Sequence, residues 1–290
     1  MKRLWQRIPV MIRAIVIGYL VALVGGLGEF VIFANLKFHP EIPWMVPAAA
    51  LWLWLFWRYL NGAGWPQSTR ESRIRDLRAP SLSGEVWAWA LVAGSLGLIS
   101  VVGLGFITPR IAEIPRDAFK LSIDFASFPI WTVCSILVVI SFASGIVEEV
   151  GYRGYMLSLI QRRHGWFLAT MITGLIFFLD HHISHAYATY AFLPFFLAVS
   201  CVHALLVYST GSIRPSILLH SVFDLIVIPI QYGVVGDIPV SPLRMGMDRS
   251  LAIEFAILIL AGLGAIPAFR KLIAVSRSTP GPVSNKEPNS

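Results

Sequence analysis

Long apolar runs separated by short polar segments make up most of the chain. Uncharged or nearly uncharged stretches cover residues 14–34, 42–57, 86–109, 125–147, 165–179, 186–213, 215–236 and 251–269. A membrane-spanning helix needs about 20 mostly apolar residues. The eight runs therefore predict an all-α, polytopic transmembrane helix bundle of about eight spans. The second and fifth runs are short, and the fifth reaches full length only by extending through Asp180. Gly145 and Gly151 permit a break after the fourth run, so residues 148–163 read as an extension of that helix or as a short helix behind it. The first run is too long for the apolar part of a signal peptide and lacks a small-residue cleavage site, so it reads as a retained span. The bundle is expected over 1–275. The Ser-, Pro- and Asn-rich stretch 276–290 is expected to be a disordered cytoplasmic tail.

Composition agrees with this pattern. Of the 290 residues 56% are hydrophobic and 13% charged, with a mean hydropathy of +0.71, whereas a soluble domain carries roughly 25% charged residues. The net charge of +7 belongs to loops, because Lys and Arg collect on the cytoplasmic side of membrane proteins. With the N-terminus inside, fifteen Lys and Arg fall on the inner side and six on the outer side. The expectation is an integral protein of a bacterial cell membrane with both termini cytoplasmic. No basic block interleaved with aromatics suggests a nucleic-acid partner. Cys134 and Cys201 both lie in apolar runs and read as buried free thiols.

Ionisable residues inside spans are costly, so each needs a reason. Three local clusters stand out. In Glu148-Glu149-Val150-Gly151-Tyr152-Arg153, Glu149 and Arg153 are spaced to pair on a helix, while Glu148 points about 100° away and lacks a partner at that spacing. One acid is thereby neutralised and its neighbour left free for general-base work. The second cluster is Phe177-Phe178-Leu179-Asp180-His181-His182, with His185 beyond. The third places His220 and Asp224 on one helix face. Both are good metal ligands, and both can orient or polarise a substrate carbonyl. Together the clusters supply a base, a cation, imidazoles and a further acid, which suits metal-assisted hydrolysis by an activated water. No serine or cysteine nucleophile arrangement competes, and no glycine-rich phosphate loop is present. Glu29 and Glu254 read as cross-helix or interfacial partners, and His203 as a core hydrogen-bonder.

Glu148-Glu149-x-x-x-Arg153, Phe177-x-x-x-His181 and His220-x-x-x-Asp224, in this order on successive apolar runs, resemble the CAAX prenyl protease 2 / Abi group of intramembrane metalloproteases, the CPBP family. Thr210-Gly211-Ser212 is also similar to that family, and the resemblance covers roughly 125–235. It implies Glu148 as the water-activating base and Glu149 with Arg153 as a structural pair. It implies His181 as a water- or metal-binding imidazole, and His220 with Asp224 as ligands or oxyanion stabilisers. The implied cofactor is Zn, held by His181, His220, Asp224 and Glu148. The implied reaction is hydrolysis of a peptide bond in a membrane-associated protein, such as CAAX-type C-terminal processing, with the lipid bilayer as the other partner. Asp224 departs from the Asn of the eukaryotic prenyl proteases, and an anion favours a ligand role over oxyanion stabilisation. The other readings are a non-proteolytic scaffold or toxin-immunity protein of the same family, and a metal- or proton-coupled transporter. Of the adjacent histidines, His181 is expected to face the site, because it shares a helix face with Phe177 and with Gly174, where another helix can approach.

Overall fold

The structure, a computed structural model, describes residues 7–119, 124–231, 234 and 246–278. Helix α1 (Val10–Gly26) passes through a short 3-10 turn into α2 (Phe30–Phe38). Asn35 holds the turn that follows. Its amide donates to the carbonyls of His39 and Ile42, and its Oδ1 accepts the amide of Met45. Helix α3 (Met45–Leu60) returns along α2, and a short polar helix, α4 (Arg70–Leu77), leads to the long α5 (Gly84–Ile111). Helix α6 (Ile130–Glu148) runs without interruption into a π-helical stretch, Glu149–Met156, and then α7 (Leu157–Ser184). Helices α8 (Leu193–Thr210), α9 (Arg214–Gln231) and α10 (Arg249–Ser278) complete the bundle. The described residues are helical wherever they are regular, as the apolar periodicity requires, and Phe30, Phe33, Ile130, Leu260 and Leu263 stand exposed on the outside as a lipid-facing surface does.

Among the described residues five helical segments, rather than eight, are long and apolar enough to cross a membrane: Val10–Phe38, Gly84–Ile111, Ile130–Ser184, Tyr190–Thr210 and Arg249–Ser278. The run at 42–57 falls in α3, which is only 16 residues long. The fourth and fifth runs lie in one helical segment. The run at 215–236 becomes α9, whose Arg214, His220 and Asp224 dilute its apolar character. Helix α10 runs on to Ser278, past the expected start of the tail at 276, and the rest of the tail lies outside the described residues. Cys134, expected to be buried, is exposed on the outer side of α6, and Cys201 is half-buried; both are free.

Three local features position the functional residues. Gly165, at φ 78° and ψ 167°, breaks the helical path of α7 in a conformation open to glycine. The chain reverses there, because Tyr152 and Asp180, nearly equidistant from Gly165 in sequence, meet with the Tyr152 hydroxyl 3.0 Å from Asp180 Oδ2. The second feature is the π-helical stretch, whose eight residues are all buried. A π-helix advances the chain by a wider turn than an α-helix and turns its side chains to different bearings. The third is Gly145. A Cβ there would lie 2.2 Å from Ser221 Oγ and 2.8 Å from the Ser221 amide, so only glycine lets α9 lie this close to α6. That contact brings His220 and Asp224 against Ser144, Glu148 and Glu149.

On the far side, α5 and α10 are clamped by the buried Arg110, whose Nη2 is 2.8 Å from Glu254 Oε1 and whose Nη1 is 3.0 Å from Asp248 Oδ2. Glu254 thus pairs across helices, as expected. Asp248 also caps α10 through the Leu251 amide at 2.7 Å. That amide, the Ser250 hydroxyl and Arg110 hold its carboxyl down at about 2.

Candidate active site

Glu149 is fully buried, and every oxygen it has is used. Arg153 Nη1 lies 2.9 Å from Oε1, forming the ion pair the spacing implied. The guanidinium is itself fully buried and rests over the Phe177 ring, 4.4 Å from its centroid, a cation–π contact that partly offsets its desolvation. His220 Nδ1 is 2.8 Å from Glu149 Oε1, and the Ser216 hydroxyl donates to Oε2 at 2.5 Å. His203 Nδ1 is 2.7 Å from Ser216 Oγ.

These contacts fix the proton positions. A carboxylate only accepts, so His220 Nδ1 donates to Glu149. Ser216 spends its proton on Glu149, so its oxygen accepts from His203 Nδ1. His181 Nδ1 is 2.9 Å from the Phe177 carbonyl, which also only accepts. All three imidazoles are therefore anchored through Nδ1–H, and each leaves Nε2 for other partners. A histidine ligand held by its second nitrogen has this arrangement.

Glu148 is placed differently from its neighbour. Its side chain is 22% exposed, and its Oε2 lies 3.6 Å from His220 Nε2. That oxygen is buried and has no hydrogen-bond partner. Asp224 Oδ2 accepts from Ser144 Oγ at 2.5 Å and lies 3.5 Å from the same His220 nitrogen. Two carboxylate oxygens and one imidazole nitrogen thus converge without donors of their own between them. Electron-rich atoms so placed call for a proton, a water or a cation.

His181, His203, His220 and Asp224 share the wall of a cavity of about 160 Å³. The rest of its wall is apolar and largely aromatic, and includes Phe177, Phe192, Phe195 and Phe196. The His181 ring packs 4.5 Å from Phe177 and 4.7 Å from Phe196. Gly174, one turn before Phe177, lies against Leu197 and Ser200 of α8. His182 points elsewhere. Its Nδ1 is 2.6 Å from the Ala188 carbonyl and its ring stacks on Phe178, so it ties down the loop after α7. The His185 ring stacks on His181, with the centroids 5.5 Å apart.

Residues 129–226 match the family model described as type II CAAX prenyl endopeptidase Rce1-like. The three motifs resemble the same family, and the matched region contains Glu148, Glu149, Arg153, His181, His220 and Asp224. No curated protein matches the chain, and no solved structure does.

The matched region also holds residues the motifs do not single out. The group whose donor atoms lie closest, within 4.8 Å of one another, and which could hold a metal ion, is Glu149, His203 and His220. Of the expected metal set, His181, His220, Asp224 and Glu148, only His220 belongs to this group, whose other members are Glu149 and His203. Glu149 is already neutralised by Arg153 and hydrogen-bonded by Ser216 and His220, and a second cation there would compete with all three. The unpartnered oxygen of Glu148 lies outside that group, 3.6 Å from His220 Nε2. His203 was read as a core hydrogen-bonder; it does form such a bond, but within the site. Ser144 and Ser216 were missed, although the sequence carried a signal. Ser144 precedes Glu148 by one turn, and Ser216, His220 and Asp224 recur every four residues along one face of α9.

Proposed function

We propose that this chain is an intramembrane endopeptidase in which Glu148 activates the attacking water. The observation that carries this reading is the buried, unpartnered Glu148 Oε2 3.6 Å from Nε2 of His220, which lines an aromatic cavity within the helix bundle. The Rce1-like match supports cleavage of a peptide bond in a membrane protein substrate.

In the reaction, water bound between Glu148 and His220 gives a proton to the Glu148 carboxylate as its oxygen attacks the scissile carbonyl carbon. The carbonyl becomes a tetrahedral oxyanion. Glu148 then passes the proton to the leaving nitrogen, and the C–N bond breaks. Glu149 takes no proton. Bound to Arg153, it holds His220 directly and His203 through Ser216, so that both rings keep Nε2 toward the cavity. Asp224, fixed by Ser144, is an anion and serves as a ligand or orienting acceptor rather than as a partner for the oxyanion. Glu148, His181, His220 and Asp224 would hold a divalent metal such as Zn²⁺, with His203 beside them. When bound, the metal supplies a Lewis acid for the carbonyl and a more acidic water. The aromatic cavity suits an apolar side chain or part of a lipid chain next to the cleaved bond. This favours CAAX-type processing of a lipid-modified C-terminus as the specific activity.

Purified enzyme cleaving a reporter peptide in vesicles tests the metal assignment. A strong chelator is expected to abolish cleavage and added Zn²⁺ to restore it, whereas full activity in a verified metal-free preparation would leave Glu148 and His181 to act on water alone. The same assay separates the adjacent histidines. His181→Ala is expected to lose about 100-fold or more in rate, the scale of a missing group at the reacting atoms. His182→Ala, which only frees the Ala188 loop, is expected to keep a measurable fraction of activity. A dispensable His181 with an essential His182 would refute the placement.

The arginine-rich ends of the helices support both termini in the cytoplasm. Reporter fusions after Arg78 and after Arg277 are expected to read cytoplasm, and an external signal at either would overturn that orientation.

A further inference from the structure

A second cavity, of about 230 Å³, lies between the start of α1 and the part of α7 just before Gly165. It is lined by Arg13, Arg162 and Arg163 together with Val10, Ala14, Ile17 and Leu159. Positive charge here exceeds its counter-charge. Arg13 Nε is buried without a hydrogen-bond partner. Arg163 is exposed and forms no ion pair with an acid among the described residues. Arg162 alone is paired, to Asp76 at 2.6 Å, and its Nε donates to the Ser158 carbonyl at 3.1 Å. Nearby, burial and the repulsion of Arg162 hold Arg78 below the usual arginine value.

On the opposite face of α1, Ile12, Val16 and Leu20 are exposed as lipid-facing residues are. The arginines lie where the chain turns at Gly165, at the edge of the apolar run 165–179. The ends of apolar runs are where a bilayer's headgroups meet a spanning helix.

We propose that this cavity binds an anionic phospholipid. Its phosphate sits between the guanidinium groups of Arg13 and Arg163, and an acyl chain lies along Val10, Ala14, Ile17 and Leu159. Guanidinium forks suit phosphate oxygens geometrically, and basic pockets between helices at the membrane edge recognise anionic headgroups. A free phosphate ion would satisfy the arginines but not the apolar lining. The excess of arginine over acid favours a net-negative headgroup over a zwitterionic one. The inference does not depend on proteolysis.

Native mass spectrometry of the full chain, released from nanodiscs of phosphatidylcholine with increasing phosphatidylglycerol, tests it. Wild type is expected to retain phosphatidylglycerol selectively. Arg13→Gln and Arg163→Gln are each expected to weaken retention about five-fold, the scale of one cation near a charged lipid surface. Arg249→Gln, an exposed arginine on α10, should leave it unchanged. Arg163→Glu, at an exposed position that tolerates charge reversal, provides a second variant should Arg13→Gln fail to fold, and is expected to abolish selectivity. Equal retention of both lipids by wild type, unchanged retention in the Arg163 variants, or full displacement by inorganic phosphate would each overturn the proposal.

Discussion

Glu149→Gln is expected to cost the protein its fold rather than only its activity. Glu149 and Arg153 are both fully buried, and the neutral amide would leave the guanidinium with the Phe177 face as its main remaining compensation. Removing one partner of a buried pair costs about 3–5 kcal/mol, because the other charge stays desolvated. Part of the cost is local to the histidines. Gln can accept with its oxygen but turns an NH₂ toward either Ser216 or His220, each of which now donates to the carboxylate. The variant should therefore accumulate to a much lower level in membranes and melt at a lower temperature in detergent. A Glu149→Gln protein that is as abundant and as heat-stable as wild type would show that the pair does not hold the site together.

Glu148→Gln is expected to do the opposite. Its Oε2 forms no hydrogen bond that an amide would break, and its side chain is partly exposed to the site. Folding and melting should stay close to wild type. The rate should fall by about 10²–10⁴-fold, the usual contribution of a positioned general base, with KM little changed because the residue acts on water rather than on substrate. Equal loss of activity with normal folding in both variants would remove the division of roles between the two acids.

The motifs were legible because their chemistry is local. Glu149 with Arg153, and His220 with Asp224, are one helical turn apart, so sequence spacing alone places each pair on one face. Gly174 was legible for the same reason, since a small residue on the face of Phe177 marks a close helix contact. Features that depend on two distant segments were not legible. Nothing in the sequence around 149–156 separates a π-helix from an α-helix. The approach of Gly145 to Ser221 is set by how α6 and α9 cross. His203 is a lone histidine in an apolar helix, and only the fold shows that Ser216 links it to Glu149. Eight apolar runs give five long apolar segments because α3 is too short, polar residues dilute α9, and 125–147 and 165–179, although they reverse at Gly165, lie in one helical segment. Charge content shows neither the first nor the last of these.

The central claim, that Glu148 drives hydrolysis of a membrane protein substrate, is tested most directly by sequencing protein termini. Membranes carrying the wild-type chain would be compared with membranes carrying Glu148→Gln at equal abundance. The account predicts at least one new terminus, within or beside an apolar segment of another protein, that is present with wild type and missing with Glu148→Gln. An identical set of termini in the two membranes would contradict it.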